Sequence, residues 1–279
     1  MSNFTNTFTE NITYGTALGV HETMETLKCD ISNSNQTKLH PLFISNHGGG
    51  GFIGDKAGGM HALFNSLVTG LGITVVYPNY RLADATQFVG KSVEESTLLM
   101  WEEMYRALED NYALVRYMLK HNDIYHIDKD QIWIGGVSFG ACMGLQAVHW
   151  DKTEMGKVDF DKWANTSQGI EPINVAGSIA ISGAIFTEAD IDVTNKPIIH
   201  VYGLKDTTLK PYGGSNHKCP YVGPVTIDSD SEYYNNPIYS KVYPNAGHCL
   251  KVPGDPFTSA LNLKDAKTFF TNIFKTLIH

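Results

Sequence analysis

The stretch Ile132-Trp133-Ile134-Gly135-Gly136-Val137-Ser138-Phe139-Gly140 decides the fold. An apolar run of strand character leads directly into Gly-x-Ser-x-Gly, and Ala141 to Val148 behind it can form a helix. A serine exposed at such a strand-to-helix turn sits in a strained backbone, so its neighbours must be small enough not to collide with it. Gly136 and Gly140 meet that demand. The helix N-terminus then aims backbone N–H groups and a partial positive charge at the serine hydroxyl. Small-x-Ser-x-small also arises in ordinary loops, so the rest of the chain has to supply what a nucleophilic serine needs.

A second signal is His47-Gly48-Gly49-Gly50-Gly51-Phe52, which follows the apolar run Leu42-Phe43-Ile44-Ser45. Glycine loses more backbone entropy on ordering than any other residue, so four in a row imply that bare backbone approaches something closely. Acyl transfer has such a need, because the oxyanion of its tetrahedral intermediate is stabilised by pre-aimed N–H donors with no side chain in the way. A flexible turn is the plainer reading of the loop alone; with the serine turn beside it, the catalytic reading is the stronger. His47 fits a structural role, holding the glycine loop by hydrogen bonds.

A nucleophilic serine requires a base, and the base an orienting carboxylate, here sought in the chain order Ser, Asp or Glu, His. Pro197 to Tyr202 reads as a strand and runs into Gly203-Leu204-Lys205-Asp206, a carboxylate just past the strand end. Glu188, Asp190 and Asp192 are rivals without that strand. Lys241-Val242-Tyr243 leads into Pro244-Asn245-Ala246-Gly247-His248, and of the 11 histidines only His248 combines a turn after a strand, a glycine neighbour and a place downstream of the acid. Activity is then expected to rise with pH through an ionisation in the ordinary histidine range of about 6 to 7.

These residues resemble a known family, the α/β-hydrolase fold, and within it the esterases related to hormone-sensitive lipase and bacterial feruloyl or acetyl esterases. The likeness rests on the HGGG-type loop at His47 to Gly51, on Tyr77-Pro78-Asn79-Tyr80-Arg81-Leu82 and on Ile127-Asp128-Lys129-Asp130-Gln131-Ile132 leading into the serine turn; the GxxD acid and GH base complete it. The resemblance implies Ser138 as nucleophile, His248 as base and Asp206 as acid, with Gly49, Gly50 and the N–H of Phe139 as the oxyanion hole. The family's loop has three glycines and this one has four, so Gly50 with Gly51 is an alternative register. By the same resemblance the reaction is acylation and deacylation of an ester, with no metal or organic cofactor.

Composition is consistent with one α/β domain over residues 1–279, a mostly parallel central sheet with helices on both faces. The chain of 279 residues is 42% hydrophobic, enough for a substantial core. Its net charge of -8 argues against nucleic acid, which requires clustered Lys and Arg. No run of about 18 apolar residues would span a bilayer, and Met1 to Glu10 lacks a signal-peptide apolar segment, which fits either a cytosolic chain or one whose signal has been removed. Asn3, Asn11, Asn35 and Asn165 begin Asn-x-Ser/Thr sequences, at a frequency that chance alone supplies. Cys29 and Cys142 read as small buried hydrophobes, whereas Cys219 and Cys249 fall in loops near the site. A bridge between those two would stiffen the chain beside His248, and the sequence leaves both states open.

Alternation of strand and helix signals supports the sheet architecture. Leu27, Cys29 and Ile31 alternate with polar residues as in a half-buried strand, and Leu42–Ser45 and Ile73–Tyr77 read as interior strands. Leu98, Trp101, Tyr105, Leu108, Tyr112, Val115 and Leu119 mark a long amphipathic helix over 96–120. Leu263, Ala266, Phe270, Ile273, Phe274 and Leu277 mark a closing helix, expected to return to the sheet near the first helix. Excursions at 150–174 and 207–239 are candidate cap or binding loops. In the second, Pro211, Gly213, Gly214, Pro220, Gly223 and Pro224 break helices.

Tyr212 and Tyr221 in that loop, with Phe52 closing the glycine loop, are candidate substrate contacts for an aromatic or sugar-bearing ester. The expected function is thus a serine ester hydrolase for short-chain or aromatic and carbohydrate-linked esters, its partner a small-molecule or polymer-linked ester. An acyltransferase, a polyester or lipid-ester hydrolase, or a non-catalytic binding module on the same fold are the alternatives.

Overall fold

The computed structural model describes residues 4–58, 60–149, 157–186, 195–233 and 236–278. Its main sheet is built from β1 (Asn6–Leu18), β2 (Met24–Ser34), β3 (His40–Asn46), β4 (Thr74–Pro78), β5 (Ile127–Val137), β6 (Val175–Ile181), β7 (Ile198–Gly203) and β10 (Ile238–Tyr243), in the order β1-β2-β4-β3-β5-β6-β7-β10. β1 and β2 run antiparallel, and the six strands from β4 to β10 are parallel. A separate antiparallel hairpin pairs β8 (Gly214–Asn216) with β9 (Cys219–Tyr221). The helices are α1 (Met60–Leu71), α2 (Val93–Lys120), α3 (Asn122–Tyr125), α4 (Phe139–Val148), α5 (Phe160–Trp163), α6 (Pro224–Tyr233) and α7 (Pro256–Leu277).

Parallel interior strands must be apolar on both faces, and the period of two sorts their residues into two cores. Leu42, Ile44, Val76, Ile132, Ile134, Ala180 and Ile198 point to one side, under α2 and α4. Phe43, Val75, Tyr77, Trp133, Ile179, Ile181, Ile199 and Val201 point to the other, against Phe64 and Leu67 of α1 and Ala266, Phe270 and Phe274 of α7. The closing helix thus lies beside the first, with Phe64 and Phe270 rings 6.1 Å apart.

β2 departs from the expected half-buried alternation. Leu27, Cys29 and Ile31 are buried, but so are Asp30 between Cys29 and Ile31 and Ser32 after them. Their burial is satisfied by polar partners: Asp30 holds Lys56 at 2.7 Å, and the Ser32 hydroxyl accepts from Asn6 and donates to Asn65.

α2 begins three residues before the expected span, fixed by a capping box in which Ser92 and Glu95 satisfy each other's backbone N–H. Its most deeply buried side is Met100, Met104, Ala107, Asn111, Leu114 and Met118, with the expected stripe forming one flank. That helix also buries Glu103, Arg106 and Asp110. Full burial of Arg81 is sustained by Asp110, whose carboxylate accepts both its backbone N–H and its guanidinium, and by the carbonyls of Leu18, Arg106 and Trp163.

The two expected excursions differ in use. Residues 150–156 and the rival acids Glu188, Asp190 and Asp192 lie outside the described residues. From 157 onward the first excursion is tied to α2: Arg106 stacks on the Trp163 ring at 4.6 Å, and the Asn165 amide donates to Asp110. In the second, the expected absence of a regular helix is corrected by α6. Pro224 opens that helix, where its missing N–H has no intrahelical partner to lose and its fixed φ is pre-organised.

Candidate active site

Ser138 stands between β5 and α4 with φ 56° and ψ −122°, the strained geometry of a sharp turn. Its backbone N–H donates to Ile181 O of β6, and its carbonyl accepts from Cys142 as the helix begins. β3 passes so close that a Cβ on either Gly136 or Gly140 would fall on the carbonyl oxygen of Asn46. Glycine is therefore required on both sides of the serine for a steric reason, with φ 145° at Gly136 adding a conformational one.

The Ser138 hydroxyl lies 2.8 Å from Nε2 of His248, and Nδ1 of His248 lies 2.7 Å from Oδ2 of Asp206. An ionised carboxylate only accepts, so Nδ1–H donates to Asp206 and the neutral ring presents Nε2 as acceptor for the Ser138 proton. Asp206 is buried and itself aimed: its other oxygen accepts from the backbone N–H groups of Thr208 at 2.8 Å and Leu209 at 3.0 Å. Burial opposes charge on His248, but the hydrogen bonds to Asp206 and to the Cys249 sulfur outweigh it and lift the imidazole pKa to about 9. The ordinary histidine value expected from sequence is thereby corrected upward.

Cys249 follows the histidine in a left-handed conformation, φ 55°, and its N–H donates to the Ser182 hydroxyl at 3.0 Å. None of the four cysteines forms a disulfide; Cys219 is buried on β9 and Cys249 half-buried. No bridge restrains the histidine turn. Ser182, at the end of β6, holds that turn instead.

The glycine loop is held from behind. His47 is buried, its burial holding the ring below its usual pKa against the opposing hydrogen bond to Gly48, so it is neutral and its Nδ1–H donates to Gly48 O at 2.7 Å. The ring stacks on Tyr80 at 4.4 Å, and the Tyr80 hydroxyl donates to His47 O. Asn46 and Asn111 exchange amide hydrogen bonds that tie the end of β3 to α2. Gly48, Gly49 and Gly50 face the serine across a cavity of 430 Å³. Gly51 does not: it packs against the Phe139 ring and Glu103, and its carbonyl accepts from Ala83. Among the described residues, no hydrogen bond uses the N–H of Gly49, Gly50 or Phe139 as donor.

Besides the serine, histidine and glycines, Phe186, Leu209, Cys142, Thr208, Asn216 and Cys249 line that cavity. Of the aromatic residues expected there, the structure brings none to it. Tyr212 is 75% exposed. Tyr221 is buried, and its hydroxyl accepts from the Lys210 N–H at the base of the hairpin. Phe52 packs on Phe88 and His217 instead. Phe186, Leu209 and Asn216 were not legible as site residues, since each reaches the cavity only through contacts between distant segments. Among the described residues no group of three His, Cys, Asp or Glu side chains converges as a metal site requires, and no helix is long and apolar enough to cross a membrane.

The architecture is similar to that of esterase 2 from the planctomycete Thermogutta terrifontis. Its apo form matches with a TM-score of 0.59 at 16% identity, over 95% of this chain and 94% of that one. The chain has the α/β-hydrolase fold. The propionate-bound form of the same esterase gives a TM-score of 0.58 at 16% identity over 95% and 94% of the two chains, and the paraoxon-phosphorylated form 0.56 at 15% over 96% and 94%. At such identity the likeness speaks for the α/β-hydrolase fold alone. No protein-family model matches the sequence, and no curated protein matches it either.

Proposed function

We propose that the chain is a serine carboxylic-ester hydrolase working through an acyl-enzyme on Ser138. The observation that carries this reading is the continuous relay from Asp206 Oδ2 through His248 to the Ser138 hydroxyl, with hydrogen bonds of 2.7 and 2.8 Å. His248 Nε2 takes the serine proton as Oγ attacks the ester carbonyl, and the imidazolium so formed is stabilised by Asp206. The N–H groups of Gly49, Gly50 and Phe139, which have no acceptor among the described residues, receive the developing oxyanion. His248 then protonates the departing alcohol, and water repeats the sequence to release the acid.

A 430 Å³ cavity with Phe186, Leu209 and Val137 in its wall suits a short acyl chain or a single aromatic ring better than a long lipid. The propionate-bound and butyrate-bound forms of the similarly folded esterase support the same size class. Within the fold, the HGGG-type loop favours the group of hormone-sensitive-lipase-like and feruloyl or acetyl esterases. A panel of p-nitrophenyl esters from acetate to laurate, with methyl hydroxycinnamates, tests the reading. Highest kcat/KM for chains of a few carbons or for a hydroxycinnamate supports it; turnover of laurate alone, or of no ester, contradicts it. Acyl transfer is the second reading, and ester products formed with added alcohol would favour it.

A further inference from the structure

The turn that joins β8 to β9 has an unusual composition for its geometry. Asn216 pairs with Cys219, leaving His217 and Lys218 as a two-residue loop, with φ 47° and 65°. Positive φ at both central positions defines a type I′ hairpin, in which Asn-Gly is the favoured pair because side chains are strained there. Two long side chains in these positions imply that the side chains themselves are used. His217 lies against the ring of Phe52, at the end of the glycine loop, with centroids 4.7 Å apart, and against Phe88 at 5.7 Å. Lys218 donates to the carbonyl of Lys91.

The other end of the hairpin is fixed as well. Ile185 and Val222 exchange backbone hydrogen bonds of 3.1 and 2.8 Å, and Phe186, next to Ile185, lines the cavity. The Lys210 N–H donates to the Tyr221 hydroxyl, tying β9 to the segment that follows Asp206. The hairpin is therefore a strap from the acid loop to the glycine loop. What it carries into the cavity is Asn216, whose side-chain amide has no hydrogen-bond partner among the described residues. Thr208 lines the same cavity, its hydroxyl also without a partner among them.

Resting on the esterase reading above, we propose that Asn216 is a specificity-determining residue that recognises a hydroxyl group near the scissile ester, and that His217 is the positioning residue that keeps it there. An amide both donates and accepts, which matches a hydroxyl and leaves an unsubstituted chain without a partner. The preferred substrates are hydroxylated esters, with the hydroxyl on either the acyl or the alcohol part.

Two substrate pairs separate these sources: p-nitrophenyl 3-hydroxybutyrate against p-nitrophenyl butyrate, and glyceryl monobutyrate against propyl butyrate. The wild-type enzyme is expected to favour the hydroxylated member of one pair in kcat/KM, and Asn216→Leu to lower that ratio about tenfold, the effect of one hydrogen bond lost. His217→Gly relaxes the turn while removing the ring contact, so it is expected to fold at least as well and to lower the same ratio through KM. Wild-type ratios of one or less in both pairs, or a ratio unchanged by Asn216→Leu, would overturn the proposal. A ratio unchanged by His217→Gly would overturn the role of the strap. Failure of the esterase reading looks different: no member of either pair is hydrolysed and a fluorophosphonate leaves Ser138 unlabelled.

Discussion

The main-chain carbonyl oxygen of Asn46 occupies the space that a Cβ on Gly140 would need. Ser138 is thus built against β3 as well as on its own strand, and the glycine loop begins at the residue after that carbonyl. Gly140→Ala is expected to push β3 away, destabilising the fold by about 1–3 kcal/mol and slowing Ser138 acylation. Gly70→Ala, at an open position in α1, is the control, expected to stabilise by about 0.5–1 kcal/mol. Urea denaturation of both variants measures the difference.

Asp206→Asn has a predictable orientation. The N–H groups of Thr208 and Leu209 must face the amide oxygen, which turns the NH₂ toward His248 Nδ1. Nδ1 then has to accept, Nε2 carries the proton, and the ring can no longer take one from Ser138. A fall in kcat of about 10⁴, as for the equivalent change in other triads, is expected with the fold intact. Steady-state kinetics beside circular dichroism check it.

Activity is expected to rise with pH through an ionisation near 9, because the raised His248 pKa keeps the proton on the ring and a protonated ring cannot act as base. Below that value kcat/KM falls tenfold per pH unit. Cys249→Ala removes one of the groups that favour the imidazolium, so the half-point moves down toward the ordinary histidine range. A pH profile of kcat/KM for both proteins reads the shift.

Asp110→Ala leaves the fully buried Arg81 without its counter-ion. Loss of one partner of such a pair is expected to cost about 3–5 kcal/mol. Urea denaturation measures it, and Asp265→Ala, on the exposed Lys241 pair, is expected to cost less than about 1 kcal/mol.

What was legible in the sequence was what local backbone geometry demands. Gly136, Gly140 and the glycines after His47 stand where strand ends turn sharply; β7 behind Asp206 is a fully buried, mostly apolar run because the parallel sheet covers both its faces, whereas the edge strand β10 behind His248 is marked only by Ile238, Tyr239, Val242 and Tyr243 around Ser240 and Lys241. β1 escaped notice because an edge strand rich in Thr and Asn carries little apolar signal. Asn46, Asn111, Arg81 and Asp110 look like surface residues in sequence; only partners tens of residues away make their burial tolerable. α6 was hidden by Pro224, which breaks a helix in its interior but opens one at its first turn. Asn216 and Phe186 reach the cavity through pairing of the hairpin with Ile185, a contact no local pattern encodes.

The central claim is that one serine forms the acyl-enzyme. Labelling with a fluorophosphonate, followed by intact-mass and peptide mapping, tests it most directly. One adduct per chain, located on Ser138 and absent from Ser138→Ala together with roughly 10⁵–10⁶-fold of the turnover, is the expected result. An adduct on another serine, or ester hydrolysis undiminished in Ser138→Ala, would contradict it.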